Sequence, residues 1–473
     1  MMHGPRKFSL VLERHPMSAA SPSRWPAVKD EAGAMLAIGV PIIIHNLALV
    51  GMGLTDAVMS GMLGAKTLAA VAVGSSVWAP VFLFSLGIIM AQSPTTAHLY
   101  GEGRFRDIGR YARQMAWLSL LIGVGGLLLL RYTVPFMRAI HIEPEIVPVA
   151  DGYLKAIAWG MPGICLYQTL RFTSEGMGRT RVLLAIAIGG LCLNGVLDYV
   201  FMYGKLGFPA MGATGTGYAT ATTQWLMFLS MLLYMHRREH YRPLELFASF
   251  DTPERVLQRE LLWLGVPMAI GIFMESSLFS GVGLIMGTLG TDIVAAHQIA
   301  LNYASFVFMV PMSISLAISV RVGHALGRGD RAEARLAGLT GMGLCLCFEV
   351  LSALSMLLFP HFIVGVYTRD AAVSAIAVSL LYMGAVMQLS DGLQVSAMGA
   401  LRGYKDTRVP MLITVVAYWG VGFPLAWYFG IVLHLSPQMI WAGFLGGLTV
   451  AAVLLTHRFL KHSRVEFQEK LRL

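Results

Sequence analysis

Charge is scarce in this chain. Only 13% of its 473 residues are Asp, Glu, Lys or Arg, about half the share usual in soluble domains, which excludes an ordinary water-soluble globule. Cysteine is scarce too. The four present, Cys165, Cys192, Cys345 and Cys347, fall inside apolar stretches and none are spaced CxxC. That leaves no disulfide framework or thiolate metal site to argue for. The first 33 residues are polar and basic (Arg6, Lys7, Arg14, Arg24, Lys29) and lack a short apolar core before a small-residue cleavage site. They are expected to be a cytoplasmic tail and not a leader. No stretch shows the alternation of a barrel strand.

Long apolar runs are what the chain has instead. Its mean hydropathy is +0.66, and twelve windows are long enough to cross a bilayer as helices. They lie at 34–62, 68–92, 112–135, 146–168, 182–203, 212–236, 258–287, 293–320, 336–359, 371–399, 409–431 and 437–460. The expected fold is an all-α polytopic membrane protein. The net charge of +9 is a topology signal, not a mark of nucleic acid. With both termini inside, only Lys66, Arg131, Arg138, Lys155, Lys205 and Arg369 fall outside or in the first turn of the fourth helix. The other 29 of 35 Lys and Arg fall on the cytoplasmic side, as the positive-inside rule requires.

The chain repeats itself. GVPIII (39–44) matches GVPMAI (265–270), GMLGAKTLAA (61–70) matches GTLGTDIVAA (287–296), and HLYGEGR (98–104) matches HALGRGD (324–330), all at an offset of 226. At 227, GRTRV (178–182) meets KDTRV (405–409). The unit is six helices, so both copies insert the same way round. The expected architecture is two six-helix lobes, 34–236 and 258–460, related by a pseudo-twofold along the membrane normal. A cytoplasmic linker at 237–257 joins them, and tails occupy 1–33 and 461–473. Repeats of this kind commonly bind substrate between the lobes and work by rocking one against the other.

Ionisable residues within spans are functional candidates by default. Asp198 has Asn194 one turn before it, and Thr220 on the sixth helix adds a hydroxyl. Asp56 joins them if the first helix packs alongside. Such a set of oxygens suits a small cation or a proton network, or else a polar contact between helices. Glu275 is the only charged residue between Leu261 and Gly287, and Asp391 on the tenth helix can face it. Two buried carboxylates do not both ionise cheaply, so such a pair tends to share a proton or a metal cation, Na+ being possible. Glu349, alone in CFEVLSA, is open between a helix–helix bond and function. Asp151 and Lys155, four apart, are read as a structural ion pair. Pro41, repeated as Pro267, is either a static kink or a hinge about four turns from Asp56.

Together these residues resemble the multidrug and toxic compound extrusion (MATE) family, most closely its NorM-like branch. The resemblance covers roughly 34–460 and rests on DAVMSGMLGAKTLAAVAVGSSVW (56–78), MES (274–276), AAHQIALNY (295–303) and ALRGYKDTRVP (400–410). It implies a cation or proton site at Asp56, Asn194, Asp198 and Thr220, and a second cation site at Glu275 and Asp391. It also places Ser76, Gln298 and Asp370, with Asp56, near substrate. Met387 stands where some relatives carry a tyrosine, and Leu49 where a polar residue is expected, so the cation shell at Glu275 and Asp391 is expected to be poorer here.

The implied function is a secondary antiporter that exports amphipathic organic cations in exchange for inward H+ or Na+. It would act as a monomer in the bacterial inner membrane, with the bilayer as its surroundings and no cofactor beyond the coupling ion. The alternative is a flippase of related fold for a lipid-linked precursor, whose anionic headgroup calls for a basic cleft. An enzyme is not expected: His45, His297 and His324 are scattered, with no nucleophile beside a base.

Overall fold

The computed structural model describes residues 25–249 and 251–469. The expected N-terminal tail up to residue 24, and residues 470–473 of the C-terminal one, lie outside the described residues. Among those described, all regular structure is helical. The first half contains α1 (Trp25–Met62), α2 (Ala65–Ile89), α3 (Gln92–Gly101), α4 (Phe105–Arg131), α5 (Val134–Ala139), α6 (Val147–Ala158), α7 (Gly160–Gly176), α8 (Arg181–Tyr203) and α9 (Ala213–Arg237). A 3-10 turn at Glu239–Leu244 leads into the second half. That half contains α10 (Arg255–Gly287), α11 (Thr291–Gly327), α12 (Arg331–Leu358), α13 (Pro360–Tyr367), α14 (Ala371–Gly403), α15 (Arg408–Val415), α16 (Phe423–Trp427) and α17 (Pro437–Glu469). Two π-helical stretches, Val416–Gly422 and Tyr428–Val432, flank α16.

Ten rods among the described residues are long and apolar enough to cross a membrane. The fourth and sixth windows are not among them. The fourth is broken at Trp159 into α6 and α7, and α9 opens with ATGTGYATATTQ, whose threonines and glycines dilute its apolar content. With these two, each lobe has six transmembrane rods.

The repeat is written into the backbone. Gly64 and Gly290, 226 apart, start α2 and α11 at φ 118° and 125°, and Gly103 and Gly329 both turn at 75°. These left-handed values fall to glycine because a Cβ would be strained there. Gly178 (73°) has as its counterpart at 227 Lys405 (57°), which takes the same turn with a side chain attached.

Each lobe has its own apolar core, and the cores exchange ends. Met35 of α1 belongs to the second core. Leu261, Leu264 and Met268 of α10, with Leu316, Ala317 and Val320 of α11, belong to the first. The helices also overrun the apolar windows. α7 continues to Gly176 through QTLRFTSEG, buried almost throughout, where a loop was expected after 168. Its polar side chains face protein, so hydropathy stops short of the helix end.

Those overruns join the lobes. The His98 Nε2–H of α3 donates to the Gly403 carbonyl at the end of α14 (2.6 Å). The His324 Nε2–H of α11 donates to the Gly176 carbonyl at the end of α7 (2.7 Å). The two bonds are images of one another under the repeat. Between them, a Cβ on Gly101 would collide with the His324 carbonyl and one on Gly327 with the His98 carbonyl. Arg321 of α11 adds a two-pronged ion pair to the buried Glu31 of α1 (2.7 and 2.5 Å). Deeper in, the Asn46 amide donates to Ser313 Oγ (3.0 Å). Among the described residues, the hydrogen bonds and ion pairs between the lobes lie at this level or nearer the basic end. The lobes are closed there.

Candidate functional site

The first lobe brings Asp56, Asn194, Asp198 and Thr220 together. Asn194 and Asp198 share a face of α8, α1 packs beside it, and α9 closes the other side. Asn194 Nδ2 donates to Asp56 Oδ1 (2.6 Å) and to Asp198 Oδ2 (2.9 Å). Thr220 Oγ1 donates to Asp56 Oδ2 (3.0 Å). All four residues are buried. Two carboxylates from different helices therefore depend on one amide nitrogen.

Spare oxygens surround them. Asp198 Oδ1 and Asn194 Oδ1 are buried without a hydrogen-bond partner, as are Ser60 Oγ, Thr216 Oγ1 and Thr223 Oγ1. Ser60 lies one turn beyond Asp56, and Thr216 and Thr223 flank Thr220 by a turn. These three were not singled out from sequence, although the spacing of three or four was there to read. Unsatisfied buried acceptors are costly, and a proton or a small hard cation is what they lack.

The second lobe is built differently. Glu275 of α10 accepts from Gln394 Nε2 (3.4 Å), one turn after Asp391 on α14. Among the described residues, Glu275 and Asp391 make no direct hydrogen bond to one another. Asp391 is buried, with Oδ1 unpartnered. Glu349 of α12 is fully buried with neither oxygen bonded, so it is not the helix-to-helix bond that remained open from sequence. Its side chain fills the space a Cβ on Gly392 would need. One turn away, Gln388 Nε2 donates to Ser352 Oγ (3.0 Å). Met387 is in the apolar core and supplies no oxygen.

Arg402 is the residue sequence reading missed. It lines, with Glu275, Thr407 and Thr414, a cavity of about 20 Å³ between α10, α14 and α15, room for about one water. It escaped notice because the tenth window ended at 399, whereas α14 runs to Gly403. A guanidinium beside Glu275 competes with any cation that carboxylate would bind. Among the described residues, no group of three His, Cys, Asp or Glu could hold a metal ion. A Na+ between Glu275 and Asp391 would have to be completed by amide, hydroxyl or backbone oxygens.

The residues expected near substrate lie on different helices, Ser76 on α2, Gln298 on α11 and Asp370 at the start of α14. Ser76 and Gln298 are exposed on α2 and α11, and Ser76 Oγ donates to the Ala72 carbonyl (2.8 Å). Asp370 caps α14, accepting from the Ala372 and Val373 amides (2.9 and 3.0 Å). Among the described residues, the three make no hydrogen bond to one another. Pro41 sits within an unbroken α1; in its turn the Ile38 carbonyl accepts from Thr180 Oγ1 (3.1 Å). The Lys155–Asp151 pair is made (2.6 Å). All four cysteines are free, Cys165 and Cys345 buried, Cys192 and Cys347 exposed.

Residues 41–200 and 267–428 match the family profile described as MatE. The two matched segments begin 226 residues apart (267 − 41), the offset of the repeat. Multidrug resistance protein PmpM of Pseudomonas aeruginosa is 41% identical over 447 residues, spanning 93% of this chain and 94% of that protein. Multidrug resistance protein MdtK of Yersinia pseudotuberculosis is 39% identical over 433 residues, spanning 90% and 95%. Among solved structures, the eukaryotic MATE transporter AtDTX14 superposes with a TM-score of 0.83 at 20% identity, over 93% of this chain and 99% of its own. An outward-facing multidrug resistance MATE family transporter of the MOP superfamily superposes with 0.85 at 20% identity, over 93% and 97%. At that identity the likeness is one of fold.

Proposed function

The chain belongs to the MatE family of transporters, and from that premise we propose that it exports amphipathic organic cations in exchange for inward H+ or Na+. The observation that carries this reading is the pair Asp56 and Asp198, held on one amide nitrogen with unpartnered oxygens around it. Two carboxylates enclosed in apolar protein are costly when both are charged and uncompensated. Taking up a proton or a cation relieves that cost, and the helices that hold the pair can repack in response. One elementary charge moving through 100 mV supplies ~2.3 kcal/mol, enough for about a fiftyfold substrate gradient. The closed end carries the Lys- and Arg-rich segments, so with that end in the cytoplasm the cleft opens outward, poised to release substrate.

Within this reading Asp56, Asn194, Asp198 and Thr220 bind the coupling ion, while Ser76, Gln298 and Asp370 border the substrate path. Glu275 and Asp391 form a second ion site with Arg402 as a resident competitor. Pro41 is the hinge. The family premise calls for no catalytic step. The protein acts as a monomer in a bacterial inner membrane, with lobes at 34–236 and 258–460 and both termini cytoplasmic.

Ethidium efflux from proteoliposomes, driven separately by a pH step and a sodium step, tests the antiport. One step should drive efflux and identify the ion; dye movement under neither would sink the reading. Glu275→Gln should fold normally yet lose at least tenfold in gradient-driven efflux, because glutamine keeps the Gln394 contact and cannot change charge. Wild-type efflux from that variant would return Glu275 to a structural role. For topology, cysteines at Lys66 and Lys205 should react with an impermeant thiol reagent from outside and those at Arg104 and Lys405 should not. The reverse pattern would overturn the orientation.

A further inference from the structure

A cluster of arginines lies apart from both carboxylate sites. The starts of α10 and α15 border a groove of about 670 Å³. Along α10, Arg255, Arg259, Trp263 and Pro267 follow one another at intervals of four and line one wall, so they lie on one face. Arg408 and Met411 of α15 line the other. From the end of the rod inward the order is charge, aromatic ring, apolar surface. A phospholipid presents its headgroup, glycerol and acyl chain in that order.

The arginines are uncompensated. The acids near them in sequence are engaged elsewhere: Glu254 with Arg110 (2.5 Å), Asp406 with Arg458 (3.0 Å) and Glu260 with the Tyr111 hydroxyl (2.6 Å). Among the described residues, none of Arg255, Arg259 and Arg408 takes part in an ion pair. Arg408 lies over the Trp263 ring, a contact that orients a guanidinium without cancelling its charge. Trp263 is itself 56% exposed. Guanidinium groups are matched to phosphate oxygens by geometry as well as charge, and basic pockets between helices at a membrane edge are suited to anionic lipids.

We propose that this groove binds one anionic phospholipid, its phosphate held by Arg255, Arg259 and Arg408 and its upper acyl chain lying along Trp263, Pro267 and Met411. Pro267 is ~18 Å below Arg255 along the helix, deep enough for much of one acyl chain. Pro267 and Met411 also line the small cavity of Glu275 and Arg402. A lipid seated here therefore props the seam between α10 and α15 beside that carboxylate. The site stands independently of the transported substrate.

The test is lipid binding to the purified full-length protein in detergent, read by native mass spectrometry during titration with phosphatidylglycerol, phosphatidylcholine or glycerol phosphate. Wild type should retain phosphatidylglycerol at least fivefold better than phosphatidylcholine. Arg255→Gln/Arg259→Gln/Arg408→Gln should reduce that preference to under twofold. Arg237→Gln/Lys461→Gln/Arg464→Gln, which removes three exposed charges outside the groove, should keep it. Full preference in the groove variant, or equal loss in the control, overturns the site. So does displacement of the lipid by glycerol phosphate alone, which would make it a free-phosphate site. If the groove triple does not fold, Arg259→Lys and Trp263→Ala carry the same test: each should at least halve the preference, and an unchanged preference in both overturns the site.

Discussion

Asp56→Asn is expected to lower gradient-driven dye efflux at least a hundredfold while the protein still folds and inserts. The fold should survive because asparagine preserves most of the local bonding. Its carbonyl can accept from Asn194 and its amide can donate to Thr220 Oγ1, reversing the present bond. The cost of that adjustment is about 1 kcal/mol, small beside the stability of a twelve-helix core. Efflux should not survive, because the side chain can no longer gain or lose a charge. Asp198→Asn sharpens the test. Asp198 accepts from Asn194 and has a spare buried oxygen. If the cluster only fastened helices, Asp198→Asn would be the milder change and efflux would persist. If it carries the coupling ion, both variants lose transport equally. Thr220→Val, which removes a bond and no charge, should cost tenfold or less. Efflux from either aspartate variant within threefold of wild type, at equal protein in the vesicles, would return the cluster to a structural role.

His98→Ala/His324→Ala should release the closed end. Each imidazole gives one bond to a helix-terminal carbonyl of the other lobe, and a neutral hydrogen bond contributes about 1 kcal/mol net. Losing two shifts the closed-to-open ratio by about 2 kcal/mol, roughly thirtyfold, and each single variant by about fivefold. Spin labels at Arg106 and Ala332, exposed near the basic ends of α4 and α12, should then show a longer-distance population rarely visited by the wild type. The Arg321–Glu31 pair remains and limits the opening, so adding Arg321→Gln should increase it further. Unchanged distance distributions in the double histidine variant would mean that the glycine packing at Gly101 and Gly327, with the Arg321–Glu31 pair, holds the lobes without the histidines.

Both experiments concern features the sequence carries unequally. Asp56, Asn194, Asp198 and Thr220 were legible as a set, because Asn194 and Asp198 lie a turn apart on one helix, Asp56 and Asp198 are charges within apolar runs, and Thr220 offers a hydroxyl on the next helix. Glu275 was legible for its isolation. The histidines stood in plain view within HLYGEGR and HALGRGD, aligned by the repeat, yet nothing local indicated that each donates to a carbonyl of the opposite lobe. Hydropathy puts Arg402, Arg171 and Glu175 in loops, since it registers their charge and is blind to the protein that covers it. Glu349 was ambiguous for the same reason.

Spans, duplication, the turns at Gly64, Gly103 and their counterparts, and the bias of charge to one end were determined by the sequence alone. Each is local: the transfer energy of about twenty residues, the φ allowed to one residue, the charge of a short loop. Which side chains meet across helices was decided only by tertiary structure. The rotation and tilt of each rod come from packing against its neighbours, and one turn of slippage would exchange Gln394 for Asp391 beside Glu275. Which end is closed was decided there too. An open and a closed arrangement contain the same helices with the same hydropathy and differ in how two preformed lobes lean together, and that balance rests on a few bonds such as those from His98 and His324.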